Sequence, residues 1–259
     1  MNKCLLVIPV FCLAFLAPAA AARAGAFAEL AGEPAASGWR ASAAAPALST
    51  AAALPDDTVR EDPPGTPEVL PVPAPGPAAA IPGADAIDPQ HLIPAGLKAE
   101  ALAYLRANAA KFSNVRYLGI VDFSKHSSLA RFYIADTAAG KVKVIHVAHG
   151  SGSDPDGDGF ATIFSNRANS NASSLGAYLT GEIYTGKHGR SMRLHGLSET
   201  NSNAFQRAVV VHSAKYVADS NVQPGRSWGC LAVSEAALDR VIEALQGGAF
   251  IYAGLSAPQ

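Results

Sequence analysis

Ala208-Val209-Val210-Val211-His212-Ser213-Ala214 and, beyond a loop, Gly225-Arg226-Ser227-Trp228-Gly229-Cys230 are the two stretches on which this chain turns. Three consecutive valines make a short, branched, apolar run suited to a buried strand. That strand ends in His212, where a fixed backbone lets an imidazole be aimed. Fourteen residues lie between His212 and Ser227, enough for the chain to return and set Cys230 beside the ring. A free thiol titrates near ~8.5 and is mostly protonated at neutral pH. A neighbouring imidazole can take that proton, leaving a thiolate that attacks acyl carbons. No acidic residue adjoins His212, so a backbone carbonyl, that of Ser213, is expected to orient the ring. Gly229 permits a tight bend in which the N–H groups of Gly229 and Cys230 converge on a developing oxyanion.

The texture on either side is mainly β. Pro94 opens a helix whose Leu97, Ala101, Leu102, Leu105 and Ala109 share one face. Tyr117 to Phe123 is a β-rich run. Leu129 to Ala135 and Lys141 to Ala148 form a hairpin turned by Gly140. Tyr178 to Tyr184 and Ser191 to Leu194 are further strand candidates. After the cysteine, Ser234 caps a helix over Glu235 to Leu245, Gly247-Gly248 stops it, and Ala249 to Ala253 closes as a strand.

Composition sets the frame. Twelve of the 18 prolines fall between Phe27 and His91, with nine Asp/Glu against two Arg. From Leu92 to Gln259 there are 16 Lys+Arg against 12 Asp+Glu, so the net charge of −1 hides an acidic segment and a mildly basic domain. That surplus is too small and scattered for a nucleic-acid binder. Residues 27–91 bury too little apolar area to offset ordering entropy and are expected to be a disordered Ala/Pro-rich linker. Lys3, the apolar Cys4–Leu16 core and the small residues Ala19 to Ala26 are expected to be a secretory signal peptide over residues 1–26. The catalytic domain is then 92–259, exported to the periplasm or cell envelope, with no membrane span in the mature chain. Cys4 and Cys12 leave with the signal peptide. Cys230 is then an inert buried residue, an intermolecular bridge or a nucleophile.

The chain resembles the L,D-transpeptidases of the YkuD type, and most closely their second subgroup, the murein L,D-transpeptidase catalytic domain family. The resemblance rests on Ile120-Val121-Asp122-Phe123-Ser124, Val147-Ala148-His149-Gly150, Phe164-Ser165-Asn166, Ser173-Ser174-Leu175-Gly176, Tyr184-x-Gly186-Lys187-His188-Gly189 and Arg226-Ser227-Trp228-Gly229-Cys230. It runs from about Asn114 to Ala253. It implies a β-sandwich-like domain whose cysteine attacks the L,D bond of a peptidoglycan tetrapeptide stem, then passes the acyl group to an amine or to water. It also implies acylation by carbapenems. Trp228 stands where the main family has His, and Leu231-Ala232 replaces the apolar residue and Arg or Asn that usually follow the cysteine. Arg226 is the expected substitute for that Arg.

These readings give Cys230 as nucleophile, His212 as general base and then acid, Ser213 as its orienting carbonyl and Gly229 as oxyanion donor. Ser227, Arg226, Trp228, Lys187, His188 and Tyr184 are expected to bind substrate. Lys187, His188, Arg190 and Arg193 form a cationic stretch suited to the carboxylates of a stem. Asp154-x-Asp156-x-Asp158-Gly159 begins like a calcium loop but has Ser165 where the closing Glu belongs, so a turn-rich loop is expected. His146, His149, His188, His195 and Cys230 lack zinc-site spacing. No metal or cofactor and a monomer are expected. An L,D-carboxypeptidase or endopeptidase using the same pair, and a non-catalytic peptidoglycan-binding module, are the competing readings.

Overall fold

The computed structural model describes residues 87–257. The expected signal peptide and nearly all of the expected linker lie outside those residues. Eight strands form one sheet: β1 (Asn114–Asp122), β2 (Phe132–Asp136), β3 (Lys141–Ile145), β4 (Gly176–Gly186), β5 (Gly189–Gly196), β6 (Val210–Ser213), β7 (Leu231–Val233) and β8 (Ala249–Gly254). Two helices accompany them, α1 (Ala95–Ala107) ahead of the sheet and α2 (Glu235–Leu245) after the cysteine. The spatial order is β3-β2-β1-β8-β4-β5-β6-β7. Only β1/β8 and β6/β7 run parallel among the strand pairs. The mainly β domain with a leading helix and a helix behind Cys230 is therefore the observed architecture, its two-faced character arising from a single curled sheet.

Side-chain alternation explains how that sheet holds two cores. On β1, Leu118 and Ile120 face α1, packing with Leu97, Ala101, Leu102 and Leu105 of the helix. Val121 faces the other way, toward α2. On β8, Phe250 joins the α1 side while Ala249, Ile251 and Ala253 join Ala237, Leu238, Val241, Ile242 and Leu245 of α2. Ser234 caps α2 by accepting the Ala237 N–H at 3.1 Å.

The packed region begins upstream of Leu92. Ile87 is buried against the α1 core, and the Asp88 carboxylate accepts the N–H groups of Leu92 and Ile93 and pairs with Lys98 at 3.2 Å. These contacts set the entry angle of α1. β1 starts three residues ahead of the expected Tyr117, and β7 was not anticipated: three residues are too few to show a period.

Candidate active site

β6 and β7 lie side by side and parallel, with Val211 level with Leu231 and His212 level with Ala232. Cys230 is the residue just before β7, so the chain delivers the thiol beside the strand that carries the imidazole. Directly opposed residues share a face. Val211, Leu231 and the Met192 paired with Val211 point into the α2 core, whereas His212, Ser191 and Ala232 point to the opposite side. There Ala232 is covered by Ala148, Ala214 and Val217.

The His212 ring is almost fully enclosed, 3% exposed, and its Nδ1 lies 2.9 Å from the Ser213 carbonyl. A carbonyl only accepts, so Nδ1 carries the proton and the neutral ring keeps its lone pair on Nε2. The Cys230 Sγ lies 3.6 Å from the Ala208 carbonyl, at the entrance to β6, and the residue is half-buried. Gly229 has φ +112°, and a Cβ there would meet the Ala172 carbonyl at 2.7 Å, so only glycine makes this bend without strain. Its N–H is not turned outward, contrary to the expected oxyanion role: it donates to Ser227 Oγ at 3.1 Å. Ser227 Oγ in turn donates to the Cys230 carbonyl at 2.8 Å. Ser227 is thus a buried brace closing the turn from within, the physical reason it is not a groove-lining contact.

Behind the turn stands a buried polar strut that the sequence did not disclose. The Ser227 N–H donates to the His149 carbonyl and its carbonyl accepts the Ser151 N–H, at 2.9 and 2.7 Å. Arg131, fully buried, donates to the Val147 and Lys125 carbonyls and to His149 Nδ1 at 3.1 Å. A guanidinium only donates, so His149 accepts at Nδ1 and donates from Nε2 to Asp154 Oδ2 at 3.2 Å. Burial, reinforced by the Arg131 charge, pushes the His149 pKa down to about 4, and burial pulls Arg131 down to about 9. The ring is therefore neutral and the guanidinium cationic at neutral pH.

Arg226 belongs to this strut. Its Nη1 donates to the Asp154 carbonyl and lies 3.9 Å from Asp154 Oδ2, so the guanidinium is tied to the 154–159 loop. Among the described residues, Asp154, Asp156 and Asp158 form the one group of His, Cys, Asp or Glu side chains close enough to share a cation. The Asp154 oxygens, however, already accept from the Asp158 and Gly159 N–H groups and from His149. The turn is thus closed by its own hydrogen bonds.

The open face of β4 and β5 carries the remaining candidates. Tyr184, Ser191 and His212 occupy one cross-strand row, which sets Tyr184 roughly 10 Å from His212 at two strand spacings. The Arg193 guanidinium covers the Tyr184 ring at 4.4 Å and pairs with Glu182 at 2.8 Å, while Arg190 pairs with Asp239 at 2.6 Å. The expected cationic stretch is thus divided: two of its arginines have carboxylate partners, and Lys187 and His188 stand exposed at the β4–β5 turn. His188 reaches back over the site, its ring 4.5 Å from that of His212. Trp228 is 51% exposed beside the cysteine turn.

Arg207, ahead of β6, went unremarked in the sequence. It donates to the carbonyls of Ser165 and Ala172 and the hydroxyls of Ser170 and Ser174, fastening the 165–174 loop beside Gly229. The one signal in the sequence was a cation directly before an apolar run.

The family model for the L,D-transpeptidase catalytic domain matches residues 90–253. No curated protein gives a significant match. Similar solved structures include an L,D-transpeptidase from Mycobacterium smegmatis, 14% identical, covering 54% of this chain and 58% of that one with a TM-score of 0.33. L,D-transpeptidase 3 from Mycobacterium tuberculosis, in complex with a faropenem-derived adduct, is 14% identical over 53% and 60% of the two chains, TM-score 0.33. A helical cell shape determining protein from Campylobacter jejuni is 10% identical over 55% and 48%, TM-score 0.34. The alignments span less than two thirds of each of these structures. At such scores the assignment rests on the family match, which covers well over half of the 259 residues and runs from ahead of α1 to Ala253 in β8. The chain belongs to the L,D-transpeptidase catalytic domain family.

Proposed function

We propose that this protein is an exported peptidoglycan L,D-transpeptidase that works through a Cys230 thioester. Family membership supports the reaction class. The observation that carries the site assignment is the parallel β6/β7 pair, which presents the Ser213-anchored His212 and the cysteine turn on adjacent strands. His212 Nε2 takes the Cys230 proton, and the thiolate attacks the carbonyl carbon of the L,D bond in a tetrapeptide stem. A C–S bond forms, the C–N bond breaks, and the leaving amine carries away the proton held by His212. In the second half, the amine of a neighbouring stem attacks the thioester, gives its proton to His212 and releases the sulfur. The backbone N–H of Cys230 serves the oxyanion in this scheme, since that of Gly229 is engaged with Ser227. His188, Lys187, Tyr184 and Trp228 border the groove that receives the stem.

The test is product analysis of the purified chain with a disaccharide-tetrapeptide, with and without an acceptor stem. A cross-linked dimer that requires acceptor supports transpeptidation; a tripeptide product formed regardless of acceptor replaces it with hydrolysis. Cys230→Ala should lower turnover by roughly 10³-fold or more with an unchanged circular dichroism spectrum, and should erase the carbapenem mass adduct on the Cys230 peptide. Unimpaired turnover by that variant refutes the nucleophile assignment.

A further inference from the structure

Arg207 lies between two pieces of chain that meet at the cysteine. On one side its Nη1 donates to the Ser165 carbonyl at 2.8 Å and to Ser174 Oγ at 2.9 Å. Its Nη2 donates to the Ala172 carbonyl at 2.5 Å and Ser170 Oγ at 3.2 Å. On the other side is the cysteine turn: a Cβ built on Gly229 would lie 3.1 Å from that same Nη2. The residue after Arg207, Ala208, has φ +54° and offers the carbonyl that meets Cys230 Sγ at 3.6 Å. One short bend therefore supplies both an acceptor against the sulfur and a fixed positive charge beside its turn.

Resting on the reading of Cys230 as nucleophile, we propose that Arg207 is a positioning residue that pins the 165–174 loop against the Gly229–Cys230 turn and biases the thiol toward thiolate before substrate arrives. The 165–174 loop has little regular structure and turns through Asn169 and Asn171 at positive φ. Four donor contacts from one guanidinium fasten its Cys230 side, while Asn171 and Ser173 tie it to residues 150–153. A guanidinium is cationic throughout the working pH range; burial lowers the Arg207 pKa, while a negative charge on Cys230 opposes that shift. Tyr178 approaches from β4, its hydroxyl bound to the Ser174 carbonyl and its pKa raised by complete burial, so it stays neutral. His212 from β6 and His188 from the β4–β5 turn face this side as well, with Lys187 in the same turn and Tyr184 and Arg193 farther along β4 and β5. A positive Arg207 favours the anion on sulfur whichever charge His212 carries.

The experiment is the pH dependence of iodoacetamide alkylation in the full chain, followed by mass spectrometry of the Cys230 peptide so that Cys4 and Cys12 do not interfere. Arg207→Gln should move the Cys230 midpoint upward by roughly one pH unit, and Arg207→Lys should restore most of that shift. A folded Arg207→Gln chain with the unaltered midpoint overturns the proposal. If that variant does not fold, His212→Asn alone decides. With the imidazole gone, the Cys230 midpoint should still fall below the ordinary ~8.5; a midpoint at or above that value overturns the proposal. Alkylation needs no stem peptide, so this outcome is separate from the fate of the transpeptidase reading, which the Cys230→Ala turnover decides.

Discussion

The centre of the sheet and the cysteine turn are held together by different physics. Around β1 and β8, apolar side chains alternate between two helices, and the stabilising contacts are many, small and interchangeable. Around Cys230 the contacts are few, directional and unlike one another: Ser227 bracing its own turn, Arg131 and His149 behind it, Arg207 beside it. A core of the first kind tolerates exchange of one hydrocarbon for another of equal size. A frame of the second kind loses its geometry when one donor goes, because the partners left behind are buried and unsatisfied. The difference implies that stability and activity are separable here.

The sharpest way to break that separation is in the α2 core. Ile242 is fully buried and part of the cluster that joins α2 to the sheet. Ile242→Ala should cost about 2–5 kcal/mol through lost transfer energy and a residual cavity, measured by urea denaturation. The Cys230 alkylation midpoint should nonetheless match the parent below the unfolding transition. A midpoint displaced along with stability would show that the two regions are one cooperative device.

Much of the first region was legible in the sequence, and the reason is periodicity. Leu97, Ala101, Leu102 and Leu105 repeat at helical spacing and all face the sheet. Ser234 and Gly247-Gly248 mark the ends of α2 in the residue types that caps require. Within the site, the order His212, then a long loop, then Cys230 was visible because both residues are chemically conspicuous. The frame was not. Arg131 and Asp154 stand 23 positions apart, and nothing in the spacing of their shared partner His149 shows that it bridges them. Arg207 contacts residues 33 to 42 positions earlier, and no local pattern encodes that. The charge of Arg226 is visible in the sequence, whereas its hydrogen-bond acceptor, the Asp154 carbonyl, is backbone and leaves no trace in composition.

The polar strut gives the second region a pH signature that the first lacks. His149 is held neutral in the folded chain, with its pKa down near 4 against an ordinary 6.5. Between those values the unfolded chain binds more protons than the folded one, so stability rises with pH across that window and falls on acidification from 6.5 to 4. The loss should be on the order of 3 kcal/mol at the acid end. Asp154 has a lowered carboxylate pKa, and its own contribution disappears only below 3.8. His149→Gln can accept from Arg131 and donate to Asp154 without titrating. Denaturation midpoints measured from pH 7 to pH 4 should therefore show a flatter profile for His149→Gln than for the parent. Parallel profiles would place the acid sensitivity elsewhere.

The smallest expected effect tests the boundary between the regions. Ser234 lies two residues past Leu231-Ala232, and it does two things: its hydroxyl accepts the Ala237 N–H to start α2, and it donates to Asp219 Oδ1 at 2.8 Å in the loop that covers Ala232. Loss of a serine cap costs about 1 kcal/mol on its own. Ser234→Ala should lower stability by that amount. If the Asp219 link matters to the site, it should also raise proteolytic nicking within residues 214–225 while the α2 core stays intact. A stability loss with no change in loop cleavage would mean that the helix cap belongs wholly to the apolar region. If both change, the line between the two kinds of construction falls at Ser234 itself, since one hydroxyl serves an α2 amide on one side and the loop over Ala232 on the other.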